Sequence, residues 1–232
     1  MNIEIMDTEK YRYERKFFIS KLTKYEIESL IKLHPAMFSD IYYPRFVNNL
    51  YFDSINMKNY FDAVDGLWNR IKIRIRWYGD LFGDIEKPVL EIKIKKGLLN
   101  TKHSFLLKPF SIGEFCEFNS IVDAIKISEI PENLKLEMIT MEPALLNRYK
   151  RKYVQSSDGN YRITVDTKMV FYDVNSHNNL FLNKTVDYSN KVVELKYNYG
   201  KDDYAEHIVK YFPFRLTKSS KYVTGIDALN WN

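Results

Sequence analysis

The sequence predicts an α+β fold built on an antiparallel sheet of about eight strands, enough to close a barrel with a lumen. Three features carry this. Charged and apolar residues alternate at every second place in Lys72-Ile73-Arg74-Ile75-Arg76 and Glu91-Ile92-Lys93-Ile94-Lys95, with weaker echoes in Arg12-Tyr13-Glu14-Arg15-Lys16 and Glu194-Leu195-Lys196. Strand-like segments follow one another with helices inserted between them, not in βαβ alternation. The 232 residues include 18 Tyr and 15 Phe but only 8 Gly and 7 Pro, a balance that suits strands and disfavours disorder.

The elements follow in order. Residues 10–20 read as a strand. Thr23 with Glu26 makes a capping box for a helix running to about Leu33. Residues 47–52 are strand-like, and Asp53 or Ser54 caps a short helix that ends near Asp65-Gly66. Residues 69–78 and 89–96 are the most regular strands, with a loop over 79–88 between them, and 103–109 is another strand. From Ser111 to Met141 the apolar spacing turns helical, broken at Pro131, which gives two or three helices. Strands at 144–155 and 161–171 flank the hairpin turn Ser157-Asp158-Gly159-Asn160. A polar, Asn-rich loop over 173–190 includes a short strand near Phe181. A strand at 191–197, a helix at 202–212 and a last ordered segment at 218–226 complete a single domain over residues 1–232.

Composition bounds the function. Apolar residues make up 45%, enough for a sizeable core, and 35 basic against 30 acidic residues give a net charge of +5, which permits an anionic partner without demanding one. The single cysteine, Cys116, allows no internal disulfide and suits a reducing cytoplasm, as a buried structural thiol. No apolar run approaches the ~20 residues of a membrane span, and the early acids Glu4, Asp7 and Glu9 do not fit a signal peptide. A phosphate-binding Gly-rich loop and a serine-nucleophile elbow are absent. The histidines His34, His103, His177 and His207 lack ligand spacing, so a zinc site is not expected.

Alternation by itself favours an ordinary half-buried sheet with its charged face in water. Two details point to an enclosed face instead. Lys72, Arg74 and Arg76 carry no interleaved acid, and the acids that do occur stand in phase with lysines: Glu14 with Lys16, Glu91 with Lys93, Glu194 with Lys196. Cations for phosphate oxygens, with one or a few carboxylates for a divalent metal, are what a bound triphosphate needs. Single-stranded nucleic acid is the weakest reading, because the basic row and the aromatics Trp77 and Tyr78 do not share one exposed face.

The ordered segments Tyr11-Arg12-Tyr13-Glu14-Arg15-Lys16-Phe17, Asn49-Leu50-Tyr51-Phe52-Asp53-Ser54, Lys72-Ile73-Arg74-Ile75-Arg76-Trp77-Tyr78-Gly79, Glu91-Ile92-Lys93, Tyr149-Lys150-Arg151, Arg162-Ile163-Thr164-Val165-Asp166, Val193-Glu194-Leu195-Lys196 and Lys218-Ser219-Ser220-Lys221-Tyr222 resemble the VTC domain. This is the polyphosphate polymerase domain of the triphosphate tunnel metalloenzymes, or CYTH proteins, and the resemblance covers about residues 10–226. It implies an antiparallel eight-stranded β-barrel tunnel with helices outside. In that tunnel the terminal phosphoryl group of ATP passes to a growing polyphosphate chain with Mn²⁺ or Mg²⁺. By the same resemblance Lys16, Arg74, Arg76, Lys93, Tyr149, Arg151, Arg162 and Lys221 fall on phosphate-contacting positions, with Lys16, Arg74, Arg76 and Lys221 closest to the chemistry. Glu194 falls on the metal-binding glutamate. Lys196 and Lys218 are further contacts, and Lys95 is added by its phase with Lys93. Arg12 stands where many tunnel enzymes open with a glutamate, which favours a phosphate-chain acceptor over water, while Glu14 and Glu91 remain available to the metal. A triphosphatase of the same fold and a non-catalytic polyphosphate or nucleotide binder are the alternatives. A membrane partner for export is compatible with the family.

Overall fold

The computed structural model describes residues 12–97, 99–113, 118–174, 181, 183–198 and 200–230. Cys116, His177, Tyr11 and the N-terminal acids lie outside them. In chain order the elements are β1 (Arg12–Ile19), α1 (Lys24–Lys32), β2 (Ser39–Asp53), α2 (Lys58–Val64), β3 (Asn69–Tyr78), β4 (Gly83–Ile85), β5 (Val89–Lys96), β6 (Leu99–Leu106), β7 (Phe110–Ile112), α3 (Asn119–Ile127) and α4 (Glu132–Ile139). The second half adds β8 (Glu142–Gln155), β9 (Tyr161–Tyr172), β10 (Lys184–Asp187), β11 (Lys191–Asn198), α5 (Asp202–Lys210) and α6 (Lys221–Asn230).

The large sheet is antiparallel in every pairing, with the order β10-β9-β11-β1-β6-β5-β3-β2-β8. β8 also pairs with β9, so the hydrogen-bonded order from β9 round to β8 returns to its start through eight strands. Among the described residues the step from β1 to β6 is a single pair, Arg12↔Asn100. The expectation of an α+β chain with an antiparallel sheet therefore agrees with the structure. Two short strands lie apart from it: β4 sits inside the segment 79–88, read from sequence as loop, and pairs with β7. Three-residue strands are too short to show an alternation. The segment at 218–226 is the start of α6, and the short strand expected near Phe181 is β10, a few residues later.

Strand periodicity sorts the side chains onto two faces. Ile73, Ile75, Trp77, Leu90 and Ile92 point outward and pack with Ile121, Ala124, Ile125, Leu134 and Met138 of α3 and α4. Phe17, Ile19, Ile163, Val165, Val193 and Leu195 pack outward with Ile27 and Ile31 of α1 and Ala205 and Ile208 of α5. The Thr23–Glu26 capping box of α1 is present. α2 differs from expectation: its N-cap is Met57 in the left-handed region (φ 54°) with no side-chain bond. Asp53 acts from outside the helix. Its Oδ1 accepts from Asn59 N and its Oδ2 from Tyr60 N, at 2.8 and 2.9 Å, while Ser54 Oγ accepts from Lys58 N. In the β8–β9 hairpin Gly159 (φ 73°) supplies the left-handed residue that the turn needs.

α6 packs against the other face. Tyr222, Ile226 and Leu229 join Tyr51, Leu145, Tyr149, Phe171 and Val192 in a third apolar cluster. Tyr222 donates to Asp53 Oδ2 at 2.6 Å and Tyr60 donates to Asp227 Oδ1 at 2.5 Å, which ties α6 to β2 and α2. The helix approaches the sheet closely at Gly225, where a Cβ would lie 2.5 Å from Leu145 Cδ2 and 2.6 Å from Phe171 Cδ1. Gly225→Ala is therefore expected to destabilise the chain by about 1–3 kcal/mol through overpacking, read as a lowered urea midpoint with an unchanged m-value.

Candidate active site

The face that carries α6 also carries the charged rows, and register shows why. Arg74 pairs across to Glu91, Lys72 to Lys93 and Arg70 to Lys95, while Glu14 pairs to Lys196 and Lys16 to Glu194, so these side chains share one face. Contacts that span strands mark this face as the inner one: Lys93 Nζ on β5 reaches Glu14 Oε2 on β1 at 2.7 Å, past β6. Lys16 Nζ lies 3.4 Å and Lys196 Nζ 3.0 Å from Glu194. Arg151 and Lys221 approach Glu194 at 3.6 and 3.9 Å.

Four carboxylates organise the cations. Glu91 Oε2 accepts from Arg74 Nε and Nη2 at 2.8 and 2.7 Å, and Glu91 Oε1 accepts from Lys102 at 2.8 Å. Asp166, fully buried, takes both arms of Arg151 at 2.5 and 2.6 Å and Lys221 at 2.6 Å. Glu14 and Glu194 share Lys16 and Lys196. Burial alone would raise all four carboxyls. The adjacent cations outweigh it: Glu14 (Lys93, Lys196, Lys16), Glu91 (Arg74, Arg76, Lys102) and Glu194 (Lys196, Lys16, Lys221, Arg151) are held well below the usual carboxylate range, and Asp166 is also lowered. All four are anions at neutral pH.

The aromatic lining is tied in as well. Tyr149, 1% exposed, has Lys221 Nζ 4.8 Å and Arg151 Cζ 5.1 Å from its ring centroid, and its hydroxyl accepts from Arg76 Nη2 at 3.2 Å. Burial pushes this phenol up, but Arg151 and Arg76 bring it below its ordinary value. Arg76 Nε donates to Asn49 Oδ1 and Arg74 Nη1 to Tyr51 OH.

Cations outnumber these acids. Among the described residues Arg70, Lys72, Lys95 and Lys218 form no ion pair. Lys72 Nζ donates only to Ser220 Oγ, at 2.6 Å. Burial, then Lys16, Lys93, Arg70 and Arg74, lowers its pKa from 10.5 to about 7. Burial, helped by Lys16 and Lys196 and opposed by Glu14, lowers Lys93 to about 8, and burial followed by Arg70 and Lys16 also lowers Lys95.

The structure thus brings Lys16, Arg74, Arg76, Lys93, Tyr149, Arg151, Lys196, Lys221, Glu14, Glu91 and Glu194 into one network, with Lys95 and Lys218 at its margin. Arg162 shares the face, in phase with Asp166, but enters no ion pair among the described residues. Asp166 joins the network beyond the residues expected from sequence; its phase with Arg162 is the one local signal of its facing. His34 is structural: its ring bonds Ile208 O and accepts from Ala36 N. Trp77 is buried outward, on the face opposite Arg74 and Arg76, whereas Tyr78, contrary to expectation, stands in phase with them, half-exposed and against Arg45.

The donor set suits a hard divalent cation. Glu194 and Glu14 offer carboxylate oxygens, the ligands that Mg²⁺ and Mn²⁺ take. No group of three or more His, Cys, Asp or Glu residues is placed to hold a metal among the described residues, so an ion would complete its shell with phosphate oxygens and water. Glu91 is engaged by Arg74 and Lys102, and Glu14 and Glu194 are engaged as well, by Lys93 and by Lys196, Lys16, Arg151 and Lys221, so a metal at either would displace a cation.

A model of the VTC domain matches residues 11–230. The chain belongs to the VTC domain family. No curated protein matches this VTC chain. Among solved structures it is similar to a candidate adenylate cyclase from Vibrio parahaemolyticus, at 10% identity and a TM-score of 0.54 over 93% of this chain and 98% of that one. A second candidate adenylate cyclase, from Bacillus halodurans, gives 12% identity and a TM-score of 0.54 over 94% and 98%. At such identities the likeness shows a shared fold. No described helix of this VTC domain is long and apolar enough to cross a membrane, and no observation supports a membrane partner.

The network makes two opposite stability predictions. Asp166→Ala strands Arg151 and Lys221 in a buried site and is expected to cost about 3–5 kcal/mol in denaturant unfolding. Lys72→Met should raise the melting temperature of the ligand-free protein by about 2–4 °C, equivalent to about 1 kcal/mol. The sign follows from linkage: with a folded pKa lowered to about 7, protonation of Lys72 opposes folding fully below that pH, and the opposition fades as pH rises toward 10.5. The gain from Lys72→Met should therefore be larger at pH 6.5 than at pH 9.

Proposed function

We propose that the chain is a metal-dependent polyphosphate polymerase acting inside a β-barrel tunnel. It would transfer the terminal phosphoryl group of ATP to a growing polyphosphate chain in the cytoplasm. The observation that carries this reading is the surplus of inner-face cations. Lys72, Lys95, Arg70 and Lys218 form no ion pair among the described residues, and Lys72 is driven toward neutrality by burial and then by Lys16, Lys93, Arg70 and Arg74 around it. A polyanion relieves this strain, whereas a neutral or cationic ligand adds to it or leaves it. Membership of the VTC family and the returning strand order support the tunnel.

The chemistry needs little beyond position and charge. A terminal oxygen of the acceptor chain attacks the γ-phosphorus, the bond from that phosphorus to the β,γ-bridging oxygen breaks, and ADP leaves. The chain is then one unit longer. Arg74, Arg76, Lys16 and Lys221 would stabilise charge on the transferred group. Arg74 is pre-aimed by the two hydrogen bonds it donates to Glu91 Oε2, and Lys221 by Asp166. Lys93, Lys95, Arg151, Arg162, Lys196 and Lys218 would hold the flanking phosphates, and Tyr149 would donate its phenol hydrogen to a phosphate oxygen. Glu194, with Glu14, would hold Mn²⁺ or Mg²⁺. The bound metal would neutralise β- and γ-phosphate oxygens.

Purified protein with ATP and Mn²⁺ is expected to give a polyphosphate ladder on a gel. Arg74→Ala should lower the rate by about 10²–10³-fold, and Glu194→Gln should abolish the stimulation of ladder formation by Mn²⁺ and leave little activity. Free phosphate without a ladder would transfer the assignment to a triphosphatase of the same fold. Binding without turnover, retained in Glu194→Ala, would make it a binding module.

A further inference from the structure

We propose that the nucleobase of the donor nucleotide stacks on a tyrosine platform around Arg45, a subsite at the open end of the charged network. This rests on the triphosphate reading above.

A column of alternating cations and aromatic rings leads out of the charged network. It begins at Lys221 and Tyr149 and continues through Arg151, whose Cζ lies 5.1 Å from the Tyr149 centroid and 5.8 Å from that of Tyr153. It ends at Arg45, whose Cζ lies 5.1 Å from the Tyr153 ring, 5.2 Å from Tyr42 and 4.1 Å from Tyr78. Register accounts for the column: Val47 pairs with Tyr149, Arg45 with Arg151 and Tyr42 with Tyr153, toward the C-terminal end of β8. α6 occupies the other end, against Leu145 and Phe171.

Exposure rises along the column. Tyr149 is 1% exposed and Tyr153 8%, whereas Tyr78 is 45% and Tyr42 52%. The buried end is polycationic, and the open end presents flat rings. Arg45 Nε is buried there with no hydrogen-bond partner. If the tyrosines served only to shield Arg45, they would leave neither that donor unmet nor two of their own rings half in water. A ligand that is polyanionic at one end and a flat heteroaromatic at the other matches this gradient. Base–aromatic and guanidinium stacking supply affinity, and a ring nitrogen or carbonyl can accept from Arg45. Stacking accepts any base, so the platform holds the nucleotide without fixing the identity of its base.

The test compares two ligands by titration calorimetry with Mg²⁺ present: ATP and inorganic tripolyphosphate. Tyr78→Ala is expected to weaken ATP binding by at least about fivefold, the low end of one base–aromatic stack, while tripolyphosphate affinity stays as in the wild type. Tyr78→Phe keeps the ring and should retain ATP affinity. Unchanged tripolyphosphate binding also shows that the Ala variant is folded. Equal loss for both ligands, or no loss for either, overturns the platform and leaves the triphosphate reading standing. A wild-type protein that binds neither ligand overturns both.

Discussion

The inner face of this sheet depends on counter-charge. A closed order of strands that turns lysines and arginines toward one another cannot form unless carboxylates are buried among them, because isolated charges of one sign in a poorly solvated space repel too strongly. Glu14, Glu91, Asp166 and Glu194 meet that need. Each binds two or more cations, and each is held ionised by them. They also give the cations direction. Arg74 and Arg151 have fixed guanidinium planes because a carboxylate grips each of them.

Neutralisation is incomplete, and its unevenness gives the molecule its chemistry. Paired cations supply a rigid, aimed seat. Unpaired ones, led by Lys72, supply attraction that the folded chain does not satisfy internally. Stability and binding therefore pull in opposite directions at Lys72 and in the same direction at Asp166. This division is common where sites are organised ahead of their ligands. The apolar end filled by α6 completes the asymmetry: one part of the inner face is packed like a core, and the other stays charged.

Much of this was legible in the sequence. The strands at residues 69–78 and 89–96 have the expected bounds, because charge and apolar residues alternate there without interruption. The in-phase Glu-x-Lys pairs correctly indicated shared faces, since strand periodicity fixes that locally. Alternation could not say which face is enclosed. That is decided by non-local pairings such as β8 with β9, together with helices α1, α3, α4 and α5 covering the apolar face. Asp166 is not legible as a site residue in the sequence because its partners, Arg151 across the β8–β9 hairpin and Lys221 55 residues away, meet it only in the fold. Asp53 serves the α2 backbone from several residues upstream of its N-cap, because its reach to Asn59 and Tyr60 depends on the turn between them, which local pattern does not show.

The pairing of β1 has a consequence for how the chain is made. Along its length β1 pairs with β11, residue for residue from Arg12↔Asn198 to Ile19↔Lys191, while its described link to β6 is one pair. A ribosome would release β1 well before β11, its main partner, about 180 residues later. Until residue 198 emerges, the edge of β1 stays without its ladder, carrying Lys16 and Glu14 before most of their partners exist. Closure of the ring is therefore a late, long-range event of the kind that slows folding, and the alternating charges on β1 discourage it from pairing with another chain in the meantime.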